Sequence, residues 1–193
     1  MTAGAELVPY DAVVLAGGRS RRMGVPDKTR LPVGGVPLLD RVLAAIGSAD
    51  RVVVVGARRP TCRPVSWTTE QPAGTGPMTA LLAGVALVAC DVTVVAAGDL
   101  PFLTAADVDV LRATLSREPD ADGVVAVDGD GRRQWLCSAW RTESLRLLRA
   151  EPNAALRDVL GGLRVATLPV GSRSPWLDCD TAEDIRRAEE QLA

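Results

Sequence analysis

Ala12-Val13-Val14-Leu15-Ala16-Gly17-Gly18-Arg19-Ser20-Arg21-Arg22-Met23-Gly24-Val25-Pro26-Asp27-Lys28 is the stretch that decides how the rest of the chain reads. Ala12 to Ala16 is apolar without alternation, the pattern of a strand buried on both faces. It stops at Gly17-Gly18. Three arginines within four residues follow, then Gly24 and Lys28. Glycine lets backbone come close to a ligand, and successive N–H groups in such a loop form an anion-binding nest. Arginine and lysine add charge and directed donors for phosphate oxygens. The stretch therefore suits a polyphosphate, above all a nucleoside triphosphate. The plainer alternative is a basic surface loop after a buried strand.

Two familiar phosphate loops are excluded. A Walker A loop needs G-x-x-x-x-G-K-[ST], but Val25 follows Gly24 and Lys28 comes four residues after it. A Rossmann fingerprint needs G-x-G-x-x-G, which Gly17-Gly18-Arg19-Ser20 does not supply.

Composition narrows the chemistry. Hydrophobic residues make up 47% of the 193 residues but aromatic ones only 3%, so the core is built from Val, Leu and Ala. That favours parallel strands covered on both faces. A net charge of −2 argues against general nucleic-acid binding. No signal peptide and no membrane-length apolar run is visible, so no membrane association is expected. Cys62, Cys90, Cys137 and Cys179 form no C-x-x-C pair and read as reduced thiols in a cytoplasmic protein. The chain has no histidine. Ser-His-Asp and Cys-His catalysis and the usual zinc sites are thereby excluded. Chemistry must rest on carboxylates, basic side chains and a metal.

Further along, helix and strand signals alternate. Pro37–Ile46 has one apolar helical face, and Arg51–Val55 reads as a strand ended by Gly56. A short strand is expected at Val65–Thr68. A Gly/Pro loop from Glu70 through Gly76 then opens a helix over Thr79–Ala89. Asp91–Ala97 is a third apolar strand, running into Gly98-Asp99-Leu100-Pro101-Phe102. Ligands of open parallel sheets bind beyond the carboxyl ends of strands, where a carboxylate such as Asp99 is well placed to hold Mg²⁺ on phosphate oxygens. The alternative is that Asp99 only starts a turn. Thr104 with Asp107, and Thr181 with Asp184, form capping boxes for helices reaching about Arg117 and Leu192. Gly123–Val127 and Gln134–Trp140 read as a hairpin around Asp128-Gly129-Asp130-Gly131. Helices are expected at Glu143–Ala150 and Asn153–Leu160, and a strand at Arg164–Leu168. Residues 1–193 read as one domain with a short tail over residues 1–9.

The pattern L-A-G-G-x-S-x-R-M-G-x-x-D-K, running from Leu15 to Lys28, resembles the signature loop of nucleotidyltransferases that build sugar nucleotides and nucleotide-capped cofactors. Among them the chain most resembles the molybdenum cofactor guanylyltransferase family. The resemblance covers nearly the whole chain and implies a three-layer α/β/α sandwich with a Rossmann-like, mostly parallel sheet, which the β-α alternation favours independently. It implies that the backbone at Leu15, Ala16, Gly17 and Gly18, with Arg22 and Lys28, holds the nucleotide. Asp99-Leu100-Pro101-Phe102 matches the family's D-x-P-[FY] metal motif, and Asp180 stands at its second metal position. Arg22, Lys28 and Asp99 are then the catalytic residues.

Departures accompany these matches. Glu70 takes the place of an acidic nucleotide contact that is commonly Asp. Gly76-Pro77-Met78-Thr79-Ala80 matches a G-P-L-A-G-like loop only loosely. Gly56 stands where the molybdenum branch often carries a nucleotide-contacting Asn. Asp178-Cys179-Asp180 replaces an Asn-x-Asn common in that branch. Trp135 replaces a proline on the acceptor side. The implied reaction joins GMP from GTP to the phosphate of molybdopterin, with Mg²⁺ and release of pyrophosphate, and with contacts to other cofactor-biosynthesis proteins. The alternatives are a relative with another base or acceptor, such as a cytidylyl or phospholactate guanylyl transferase, and a non-catalytic nucleotide-binding relative.

Overall fold

A computed structural model describes residues 7–17, 27–170, 179 and 181–192. Along the chain come β1 (Tyr10–Leu15), a 3-10 turn (Lys28–Arg30), β2 (Pro32–Val33), β3 (Val36–Pro37), α1 (Leu38–Ala45), β4 (Val52–Val55), β5 (Ser66–Thr68) and α2 (Pro77–Val85). There follow β6 (Val92–Ala97), α3 (Ala105–Arg117), β7 (Gly123–Val127), β8 (Arg133–Arg141), α4 (Thr142–Arg146), α5 (Leu156–Leu160), β9 (Val165–Pro169) and α6 (Ala182–Leu192).

β1 is buried at all six positions: Ala12–Leu15 is an unbroken apolar run, and Asp11 accepts the Ala89 and Cys90 N–H groups. Because strand side chains alternate, the run feeds two cores. Ala12, Val14 and Ala16 join Leu39, Val42, Leu111 and Leu115 under α1 and α3. Val13 and Leu15 join Met78, Leu81, Leu145 and Leu160 under α2, α4 and α5. Each fully buried Val or Leu contributes about 1.5–3 kcal/mol, so both faces must be roofed by helices. The result is the expected three-layer α/β/α sandwich.

Seven strands form one sheet in the order β5-β4-β1-β6-β8-β7-β9. Among the described residues β8 alone runs against the others, pairing antiparallel with both β6 and β7. The β7–β8 register slips between Val125, opposite Ser138, and Ala126, opposite Gln134. Trp135 falls in that irregularity. It stacks on Trp140 with ring centroids 6.5 Å apart and joins the edge of the second core, which accounts for an indole where the family pattern has proline.

Some expected boundaries move. The second helix starts at Pro77, two residues early, because Pro suits the first helical turn. The helices expected at Glu143–Ala150 and Asn153–Leu160 shrink to α4 and α5. Asn153 sits at φ 65° and donates its N–H to the Thr75 carbonyl at 2.6 Å, so no helix can begin there. Both capping boxes form, Thr104 with Asp107 and Thr181 with Asp184. No helix among the described residues is long and apolar enough to cross a membrane.

Candidate active site

β1 lies between β4 and β6, and the chain leaves it toward β4 and β5 on one side and reaches β6 on the other. This is a topological switch point, where the crevice beyond the carboxyl ends takes ligands. The strand exits are stitched together there. Gly98 donates its N–H to the Leu15 carbonyl, Ala16 to the Val55 carbonyl and Gly56 to the Thr68 carbonyl, each at 2.9 Å. Leu15, Ala16, Gly17, Gly56 and Asp99 are thereby gathered at one edge. Gly56 (φ 152°) packs so closely on β1 that a Cβ would lie 2.9 Å from the Ala16 carbonyl carbon and oxygen. The Asn of the family pattern has no room on this backbone.

Lys28 stands at the start of the 3-10 turn, and its ammonium pairs directly with the Asp99 carboxylate. Asp99 is only 6% exposed. Its carbonyl also accepts the Cys179 N–H at 3.3 Å, which brings Cys179 to the same edge. Gly18, Arg22 and Asp180, expected at the site from sequence, lie outside the described residues.

Glu70 and Gly76 follow β5, whose carboxyl end faces the same way. Glu70 accepts the Gly74 N–H at 2.8 Å, so one of its oxygens is engaged within its own loop. Gly76 is backed by Asn153, whose Cα would lie 3.1 Å from an added Cβ.

Among the described residues no group of three or more His, Cys, Asp or Glu side chains could hold a metal. Asp99 supplies one hard oxygen donor group at the crevice. That donor set fits a small divalent cation that takes one or two protein carboxylates and completes its shell with phosphate oxygens and water.

Sequence reading missed Arg59, on the β4–β5 connection. Its Nη1 pairs with Asp27 at 2.5 Å and donates to the Ala57 carbonyl at 3.2 Å. Its Nη2 donates to the Ala16 carbonyl at 3.2 Å and to Thr29 Oγ1 at 2.5 Å. The guanidinium also lies over Trp67, 5.4 Å from the ring centroid. Burial pulls its pKa below the ordinary value, with Asp27 acting in the opposite sense. The only sequence signal was a basic pair, Arg58-Arg59, just past a strand exit.

A doubly wound sheet with a lysine–carboxylate pair at its switch point defines the class, an α/β protein whose crevice suits a charged ligand. Residues 12–167 match the MobA-like NTP transferase domain, and the chain belongs to that family. It is 35% identical over 147 residues to a molybdenum cofactor guanylyltransferase of Mesorhizobium japonicum, covering 71% of this chain and 69% of that protein. It is 30% identical over 189 residues to the protein of the same name from Rhodobacter capsulatus, covering 93% and 95%. Its fold is similar to molybdopterin-guanine dinucleotide biosynthesis protein A from Archaeoglobus fulgidus, with TM-score 0.74, 20% identity and coverage of 94% and 98%. A CMP:2-keto-3-deoxy-manno-octonic acid synthetase complexed with CTP shares the fold at TM-score 0.69 and 16% identity, covering 95% and 98%.

Proposed function

We propose that this chain is a molybdenum cofactor guanylyltransferase, transferring GMP from GTP to the terminal phosphate of molybdopterin. The observation that carries the reading is the Lys28–Asp99 pair at the ends of β1's loop and β6, in a chain of the MobA-like family. An oxygen of the acceptor phosphate attacks the α-phosphorus, the bond from that phosphorus to the bridging oxygen breaks, and pyrophosphate leaves with the electron pair. A phosphate with a second pKa near 6 is already a dianion at neutral pH, so the step needs no general base. A chain without histidine can therefore run it.

Catalysis is positioning and charge stabilisation. Lys28 exchanges the Asp99 carboxylate for phosphate oxygens when nucleotide enters. The backbone at Gly17 and Gly18, with Arg22, extends the phosphate cradle, and Glu70, Gly56 and Gly76 line the nucleotide side. Asp99, together with Asp180, would hold Mg²⁺, and the ion would supply Lewis-acid stabilisation of charge developing on the α-phosphate. The main chain from Leu15 to Gly17 reads the guanine edge; Leu15 O and Ala16 O each hold one hydrogen bond within the protein and keep a second lone pair. The reading takes in a cytoplasmic location, which the free thiols of Cys62, Cys90 and Cys137 support, and contact with other cofactor-biosynthesis proteins. The test is pyrophosphate release with each of the four NTPs against molybdopterin and a panel of phosphorylated acceptors. GTP with molybdopterin is expected to give the signal. Turnover with CTP in place of GTP would move the chain to a cytidylyl branch.

A further inference from the structure

We propose that Arg59 is a positioning residue for the donor triphosphate, fixing Lys28 relative to the end of β1; the proposal rests on the nucleotidyltransferase reading above. Lys28 is flanked in sequence by Asp27 and Thr29, and Arg59 bonds to both side chains. Asp27 Oδ1 in turn accepts the Thr29 N–H at 3.1 Å and the Thr29 hydroxyl at 2.7 Å, closing a three-residue ring of bonds around the backbone of Lys28. The same guanidinium reaches the carbonyl of Ala16, on the other arm of the phosphate loop. One side chain from the β4–β5 connection therefore ties together both arms of the signature stretch.

The placement is specific to arginine. Its planar fork offers donors in fixed directions, and here Nη1 and Nη2 serve four oxygens at once. Trp67 closes one face of the plane, and the side chain is 8% exposed. Its Nε is buried with no partner among the described residues. A buried guanidinium with one donor unmet is a poor way to add stability, since unmet donors carry a desolvation cost. The arrangement is intelligible as a means of holding two backbone segments in register. Lysine keeps the charge opposite Asp27 but, as a single ammonium, cannot span Ala57, Ala16 and Thr29 together.

The test is Arg59→Lys, assayed with Mg·GTP by calorimetry and by pyrophosphate release well below the melting temperature, beside Asp27→Asn and the double variant. Misplacement of a binding group by about 1 Å can cost about a hundredfold. Arg59→Lys is therefore expected to lower kcat/KM by about a hundredfold and to weaken GTP binding at least about tenfold. Asp27→Asn should lose less, and the double variant should be no worse than Arg59→Lys, because both act through one contact network. Arg59→Ala should regain part of its GTP affinity when ethylguanidinium is added to the solution. A lower melting temperature in Arg59→Lys with wild-type GTP affinity and kcat/KM would show a structural role only and overturn the proposal. So would additive losses in the double variant. Wild-type protein that binds none of the four NTPs and releases no pyrophosphate from them would overturn the nucleotidyltransferase reading itself, and the proposal with it.

Discussion

Lys28 and Asp99 form an ion pair across the carboxyl edge of the sheet, the ammonium from the 3-10 turn against the carboxylate that follows β6. Each group screens the other, so the pair leaves no uncompensated charge in a crevice where Asp99 is almost fully buried. On the proposed reading the two groups take different tasks with a metal–triphosphate, since a lysine suits phosphate and a carboxylate suits the cation. That reading makes nucleotide binding an exchange of partners.

That exchange separates the two variants. Asp99→Asn keeps the shape and removes the charge. GTP binding without Mg²⁺ should be unchanged or tighter, because Lys28 no longer leaves a carboxylate to reach phosphate. Transfer should fall by orders of magnitude, as metal stabilisation of transition-state charge is worth several kcal/mol. Lys28→Ala should weaken GTP binding with or without Mg²⁺. Calorimetry in both conditions, with pyrophosphate release, checks the pattern. Near-full Mg²⁺-dependent activity in Asp99→Asn would remove Asp99 from the metal site.

A second pair tests stability against pH. Asp122, just before β7, accepts hydrogen bonds from the Arg164 backbone N–H at 2.9 Å, from Arg164 Nε and Nη2 at 3.1 Å and from Ser144 Oγ at 3.0 Å. The Arg164 side chain leads in holding its carboxyl down from the ordinary 3.8 to about 2. A carboxyl whose folded pKa lies below its unfolded one contributes stability above the unfolded value. That stability is lost as pH falls through the folded value. Asp122→Asn should therefore melt several degrees below wild type at pH 7. The gap should close between about pH 4 and pH 2. A gap that stays constant to pH 2 would show that the charge of Asp122 plays no part.

The interior strands were legible because strands buried on both faces are written as unbroken apolar runs, as in Val52–Val55 and Val94–Ala97. The caps at Thr104 and Thr181 were legible because their bonds close within three residues. The position of β8 between β6 and β7 was not, since a hairpin signal says which strands are joined and not which third strand inserts its edge. Lys28 and Asp99 were each read as site residues from motif spacing, but their contact is long-range and no local pattern encodes it. Arg59 escaped for the same reason. Its role comes entirely from Ala16, Asp27, Thr29 and Trp67, which tertiary structure alone brings to it.

Gly123 and Trp140 give a prediction about the core. They are direct cross-strand partners, and the fully buried indole fills the space where a Cβ on residue 123 would stand, 2.2 Å from Trp140 Cε3. The indole is held in turn by its N–H donating to Ser138 Oγ at 2.8 Å. Gly123→Ala must displace the ring, and overpacking of this kind costs about 1–3 kcal/mol. The melting temperature should fall by several degrees, as about 1 kcal/mol moves a chain of this size roughly 2–4 °C. At 25 °C kcat/KM should stay at the wild-type value, since the pair lies at the far end of β7 from the strand exits. An unchanged melting temperature would mean that the sheet yields there without cost.

Gly56 carries the last prediction, and it runs against the family pattern. A side chain there meets backbone, not a flexible side-chain tip: the Ala16 carbonyl carbon and oxygen at 2.9 Å and the Gly17 nitrogen at 3.0 Å. Ala16 cannot easily give way, because its N–H is bonded to Val55 and its carbonyl to Arg59. At φ 152° any residue but glycine is also strained. Gly56→Ala should therefore push Gly17 out of register with the crevice, weakening GTP binding at least about tenfold and lowering stability by about 1–3 kcal/mol. Gly56→Asn installs the residue that the molybdenum branch often has, yet on this backbone it should bind GTP more weakly than Gly56→Ala, with its larger side chain forced over the same carbonyl. Calorimetry with GTP and thermal melts of both variants decide the matter. Tighter GTP binding in Gly56→Asn would mean that the strand exits relax to admit a base-reading amide, and that this chain lost a contact at residue 56 where the geometry described above holds that it has no space for one.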